Sequence, residues 1–69
     1  VKAVNGTLKK RENLRTKRLQ KGLTQEQLAE AAGVSKETIK SLEYGRVNPS
    51  FSLMMKLCEI LEGKAEDLF

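Results

Sequence analysis

The chain has 69 residues with one cysteine and no histidine, which bounds it to one small domain whose core is marginal without a disulfide, a metal or a partner subunit. A lone thiol closes no internal disulfide and leaves too few soft ligands for a zinc site, so neither metal nor cofactor is expected. The formal charge of +4 is uneven, with eight Lys/Arg against Glu12 alone in residues 1–22 and four acids against Lys64 in residues 59–69; a polyanion suits the basic half, although charge alone fixes neither fold nor sequence preference.

No apolar run approaches the roughly 18 residues of a membrane span, and VKAVNGTLKK lacks the apolar core of a signal peptide. The expectation is a cytoplasmic protein with no membrane partner. With three aromatic residues and no sustained apolar/polar alternation, strand signals are weak and the chain reads as all-α. Residues 1–6 are expected to be a lead-in, and residues 7–69 the domain.

The first helix is expected over residues 8–21 (LKKRENLRTKRLQK), a run of good helix formers that Gly22 stops as a left-handed cap. Thr24-Gln25-Glu26-Gln27 has the form of a capping box flanked by the staple pair Leu23 and Leu28, which starts a second helix at about residue 25. Gly33 ends it at about residue 32. Ser35, set between Val34 and Ile39, caps a third helix from Lys36 that Gly45 terminates. Asn48-Pro49-Ser50 excludes helix before the proline and offers Ser50 as the cap of a fourth over residues 51–61. Phe51, Met54, Leu57, Cys58 and Leu61 fall at helical spacing and are expected to form its buried face. Gly63 is expected to break that helix, and residues 65–69 to make a last turn carrying Leu68 and Phe69.

Two short helices joined by Gly33-Val34-Ser35 have the geometry of a helix-turn-helix over residues 24–44. Gly33 supplies a positive φ, Ala29 is small where the next helix crosses, and Leu28, Val34, Ile39 and Leu42 can form the joint core. At about 100° per residue, Lys36, Glu37, Lys40, Ser41 and Tyr44 share one arc of about 140° on the third helix. Ile39 and Leu42 point the other way. A major groove admits one α-helix and presents donors and acceptors that such side chains can read.

The stretch GLTQEQLAEAAGVSKETIKSLEYGRVNPS, with KRLQKG before it and the helix after it, resembles the Cro and phage-repressor (XRE-like) family of helix-turn-helix proteins over residues 14–69. Gln25, Ala29, Gly33, Val34, Ile39, Leu42 and Gly45 carry the resemblance. It implies a compact five-helix repressor-like domain that binds double-stranded operator DNA, an inverted repeat, as a homodimer and regulates transcription, as a repressor. It further implies base readout by Lys36, Glu37 and Ser41 with Lys40 on the flank. Phosphate contacts are implied for Gln25, Ser35, Tyr44, Arg46 and Asn48, and a structural ion pair for Arg18 and Glu43. Lys17, Tyr44 and Glu62-Gly63 depart from the family's commoner residues.

An enzyme is the weakest class, because no histidine, phosphate loop or activated nucleophile is present. The rival readings are a protein-interaction module of the same fold and an antitoxin that binds both DNA and its toxin. Lys9-Lys10-Arg11 reads either as a solvated helix face or as a phosphate contact, and Cys58 reads as a small core hydrophobe. Met54 and Met55 read as core filling for at least one, with an adaptable protein interface as the alternative.

Overall fold

A computed structural model describes residues 10–69. The lead-in over residues 1–6, the first residues of the helix expected from residue 8, and Lys9 lie outside the described residues. Five helices follow in order: α1 (Glu12–Gln20), α2 (Gln25–Ala32), α3 (Lys36–Tyr44), α4 (Phe51–Leu61) and α5 (Ala65–Leu68). No strand occurs among the described residues, as the all-α reading expects.

Local chemistry sets most of the boundaries. Thr24 Oγ1 accepts from the Gln27 N–H at 3.0 Å, and Gln27 Oε1 accepts from the Thr24 N–H at 2.9 Å. The box satisfies two donors that a helix start leaves without partners. Gly33 closes α2 in the left-handed region at φ 75°. Ser35 and Ser50 accept from the N–H groups of Thr38 and Leu53, each at 3.2 Å, and so start α3 and α4.

Three expectations need correction. α1 starts at Glu12, because Lys10 and Arg11 are not helical. The Arg11 N–H donates to the Glu43 carbonyl at 2.8 Å, so a tertiary hydrogen bond overrides local helix propensity. Phe51 is not in the buried face of α4; it is 73% exposed. The face that packs is rotated toward Leu53, Leu57, Ile60 and Leu61, which leaves Phe51 beyond its edge and Cys58 half-buried against it. The left-handed residue that ends α4 is Glu62 at φ 56°, not Gly63. Gly63 serves close approach instead, since a Cβ there would lie 3.1 Å from Leu68 Cδ1.

The core joins all five helices. Leu14 of α1, Leu28, Ala29 and Ala32 of α2, Ile39 and Leu42 of α3, Leu57 and Leu61 of α4 and Leu68 of α5 are buried together. Burying each leucine or isoleucine is worth about 1.5–3 kcal/mol, which is how so short a chain offsets its ordering entropy. Leu68 fixes α5 in place, and Asn13 Nδ2 donates to the Asp67 carbonyl at 2.9 Å to tie α5 to α1.

Candidate nucleic-acid interface

The turn between α2 and α3 is closed by its own backbone, with the Val34 N–H donating to the Ala29 carbonyl at 3.0 Å. Ala29 is buried and Val34 half-buried at the crossing. The turn therefore aims α3 from a packed base. On α3, Ile39 and Leu42 are fully buried while Lys36, Glu37, Lys40 and Tyr44 are exposed and Ser41 is half-buried. Neither ion pair formed among the described residues involves Lys36, Glu37 or Lys40. Their two ammonium groups and one carboxylate face solvent as donors and an acceptor.

At one edge of this face lies a buried polar cluster. Arg18 donates from Nε to Glu43 Oε2 at 2.6 Å and from Nη2 to Oε1 at 3.2 Å, and from Nη1 to the Leu23 carbonyl at 2.9 Å. Gln25 Nε2 donates to Glu43 Oε1 at 3.0 Å. The Arg18 and Glu43 side chains are 7% and 5% exposed, and no buried side-chain nitrogen or oxygen among the described residues lacks a partner. A charge pair this dry is tolerable because every donor and acceptor is matched. The cluster fixes α1, the start of α2 and the end of α3 relative to one another. It takes one amide hydrogen of Gln25, whose other amide hydrogen and backbone N–H at the positive end of α2 stay available to an anion.

The remaining sequence-selected residues have defined surroundings. Ser35 Oγ, besides capping α3, lies 2.9 Å from Thr38 Oγ1. The Tyr44 ring is flanked by two cations, Lys10 Nζ at 5.3 Å and Arg46 Cζ at 5.2 Å from its centroid. Asn48 Oδ1 accepts from Arg11 Nη2 at 2.7 Å. A cleft of 390 Å³ runs between the start of α1 and the end of α3, with Lys10, Arg15, Arg18, Gln25, Glu43 and Tyr44 on its walls. Its cations outnumber its carboxylates, so phosphate is a suitable neighbour.

Arg11 lies outside any helix and is half-buried, which corrects the solvated-helix-face reading of Lys9-Lys10-Arg11 at this residue, and its clamping role is one that sequence reasoning missed. Its Nη1 donates to the Leu42 carbonyl at 2.6 Å and to the Val47 carbonyl at 2.9 Å, and its guanidinium lies 5.6 Å from the Phe69 centroid. It thereby clamps the loop after α3, which carries Arg46 and Asn48, to both ends of the fold. No local pattern announces this, because the three acceptors stand 31, 36 and 37 residues away in the chain.

A packed turn, a solvated recognition-type helix and basic surroundings define a DNA-binding helix-turn-helix domain. The chain belongs to the helix-turn-helix family, whose profile matches residues 14–68. It is 44% identical over 59 residues, 86% of this chain and 84% of the relative, to an uncharacterised HTH-type transcriptional regulator of Archaeoglobus fulgidus. Among solved structures it is similar to the restriction-modification controller protein C.AhdI of Aeromonas hydrophila, at 34% identity and TM-score 0.74 over 84% of each chain. It is also similar to the clp gene regulator ClgR of Corynebacterium glutamicum, at 38% identity and TM-score 0.73 over 81% of this chain and 60% of that one. The protein is a DNA-binding transcriptional regulator, in a family of regulators rather than of enzymes. No helix among the described residues is long and apolar enough to cross a membrane.

Proposed function

We propose that this regulator binds an inverted-repeat operator as a two-fold homodimer, lays α3 of each copy in the major groove, and represses transcription in the cytoplasm by occupying that DNA. The observation that carries the reading is the split of α3 into a packed side, with Ile39 and Leu42, and a solvated side, with Lys36, Glu37 and Lys40. Lys36 can donate to guanine O6 and N7, Glu37 can accept from a cytosine amino group, and Ser41 suits several bases. Lys40 on the flank reaches either a base edge or the adjoining strand.

Phosphate contacts fall to the groups that border α3. Gln25 offers its helix-start N–H and its free amide hydrogen, and Ser35 stands at the start of α3, where the helix dipole favours an anion. Tyr44, Arg46 and Asn48 follow along the backbone. One α3 reads too few base pairs for tight binding, which is the reason for two copies; their half-sites then lie about 34–36 Å apart. Binding alone accounts for the function, with no catalytic step.

Selection of bound duplexes from a random pool tests this reading. The expected result is an inverted repeat with half-sites one helical turn apart. Recovery of no enriched sequence, or of a site lacking any repeat, sinks it.

A further inference from the structure

An asparagine amide carries two opposite groups, and only one of them suits a phosphate. The Nδ2 hydrogens donate to an anion, whereas the Oδ1 lone pairs repel it. Asn48 is exposed, and its Oδ1 accepts from Arg11 Nη2 at 2.7 Å. The acceptor is thus taken up by the protein, and the amide hydrogens are left to solvent. This orientation depends on the Arg11 fork, which also spans the Leu42 carbonyl at 2.6 Å and the Val47 carbonyl at 2.9 Å. The fork has a further support that is not a hydrogen bond. Its guanidinium carbon sits over the face of the Phe69 ring, 5.6 Å from the centroid. That ring is itself fixed: Phe69 is half-buried against the core, next to the buried Leu68, and its N–H donates to the Ala65 carbonyl at 2.8 Å.

We infer that Phe69 is a positioning residue for DNA binding: its ring holds the Arg11 guanidinium at the angle at which Asn48 turns its amide hydrogens outward as phosphate donors. The inference rests on the phosphate contacts proposed above and names what sets one of them. Without the fork, the amide presents its oxygen or its nitrogen to an incoming phosphate; with it, the repelling orientation is removed before DNA arrives, and the competent fraction of the free protein rises. The neighbouring Arg46 is held separately, by the Tyr44 ring, so the influence of Phe69 falls on Asn48. An aliphatic side chain at position 69 fills similar space against the core and offers no negative ring face to a cation.

Operator titrations of the intact chain and nuclear relaxation of the Asn48 side-chain amide in the free protein supply the test. Phe69→Leu should weaken operator binding by about two- to fivefold, the scale of a lost exposed cation–π contact, at unchanged sequence preference and salt slope. Phe69→Tyr should bind as wild type. In an Asn48→Ala background Phe69→Leu should cost no further affinity, whereas a role confined to core packing predicts the same loss in both backgrounds. The Asn48 amide should be ordered in the wild type and in Phe69→Tyr and mobile in Phe69→Leu, a readout that holds even where the leucine variant melts earlier. Wild-type affinity in Phe69→Leu, an equal loss in the Asn48→Ala background, or an Asn48 amide as ordered in Phe69→Leu as in the wild type overturns the positioning role while the operator reading stands. A wild-type chain that enriches no operator sequence overturns both.

Discussion

Arg11 and Glu62 show how much a single side chain does in this fold. Arg11 donates to two carbonyls and one amide oxygen around the loop after α3. Replacement by alanine removes three charge-assisted hydrogen bonds, among them one to the part-buried Leu42 carbonyl, which keeps only the Gly45 N–H at 3.1 Å, and a loss of about 1–3 kcal/mol is expected in a urea melt. Arg11→Lys should not restore it, since an ammonium lacks the planar fork that spans three acceptors. If the lysine variant melts as wild type, the clamp has no energetic role. Because Arg11 holds Arg46 and Asn48 rather than DNA itself, its loss should also weaken binding to all sequences alike without lowering the salt slope.

Glu62 is fully exposed and its carboxyl titrates below its ordinary 4.5, because Lys21 donates a hydrogen bond to the carboxylate and adds its positive charge. A folded-state pKa below the unfolded one stabilises above the unfolded value and is lost as pH falls through the folded one. The Lys21 contact should therefore fade only below about pH 4.5, and Glu62→Gln should flatten that part of the acid melt. Glu62 also holds a left-handed φ that only glycine adopts freely. Glu62→Gly trades a weak surface ion pair for relaxed backbone, and the Tm should rise by a few degrees; a fall would mean that the Lys21 contact dominates.

At the level of the helices, what could be read from the sequence was whatever local chemistry decides. Thr24, Ser35 and Ser50 cap α2, α3 and α4, and Gly33 and Gly45 close α2 and α3, each within four residues of the groups they satisfy. The exposed face of α3 was legible for the same reason, since periodicity is a local property. What was not legible depends on groups distant in sequence: the start of α1, set by Glu43; the outward Phe51, set by which face of α4 the rest of the core covers; and the partner of Gln25, set by the Arg18–Glu43 cluster. α3 then carries its own prediction. Lys36→Ala or Glu37→Ala should change the selected base at one operator position and cost about 1–3 kcal/mol of binding, with the melt unmoved. Variants that keep the wild-type site and affinity would show that this face does not read bases.

For the molecule as a whole, the buried pair and the surface charge act in different ways. Removing either Arg18 or Glu43 alone strands a charge in the core, and a loss of about 3–5 kcal/mol is expected, enough to unfold much of a domain this small. Replacing both by apolar residues should recover most of it. A double variant as unstable as the singles would mean that the cluster's other hydrogen bonds, to Leu23 and Gln25, dominate. The surface charge acts only when DNA arrives: each phosphate neutralised releases about 0.9 counterion from B-DNA, so a log–log salt titration should be steep. A flat titration would favour a protein partner.

The Tyr44 ring held between Lys10 and Arg46 has a consequence for how tightly the complex closes. Long basic side chains are normally disordered until a phosphate captures them, and each capture costs about 0.5–1.5 kcal/mol in lost rotamers. Stacking restricts both cations beforehand, beside the cleft and the end of α3, so that part of the ordering is already complete in the free protein. The phenol is then an organiser of charge as well as a proposed phosphate contact. Tyr44→Leu, which keeps bulk and removes the π face, should weaken binding at every salt concentration and leave the salt slope unchanged, because it deletes no cation; a lowered slope would show that the cations no longer reach phosphate.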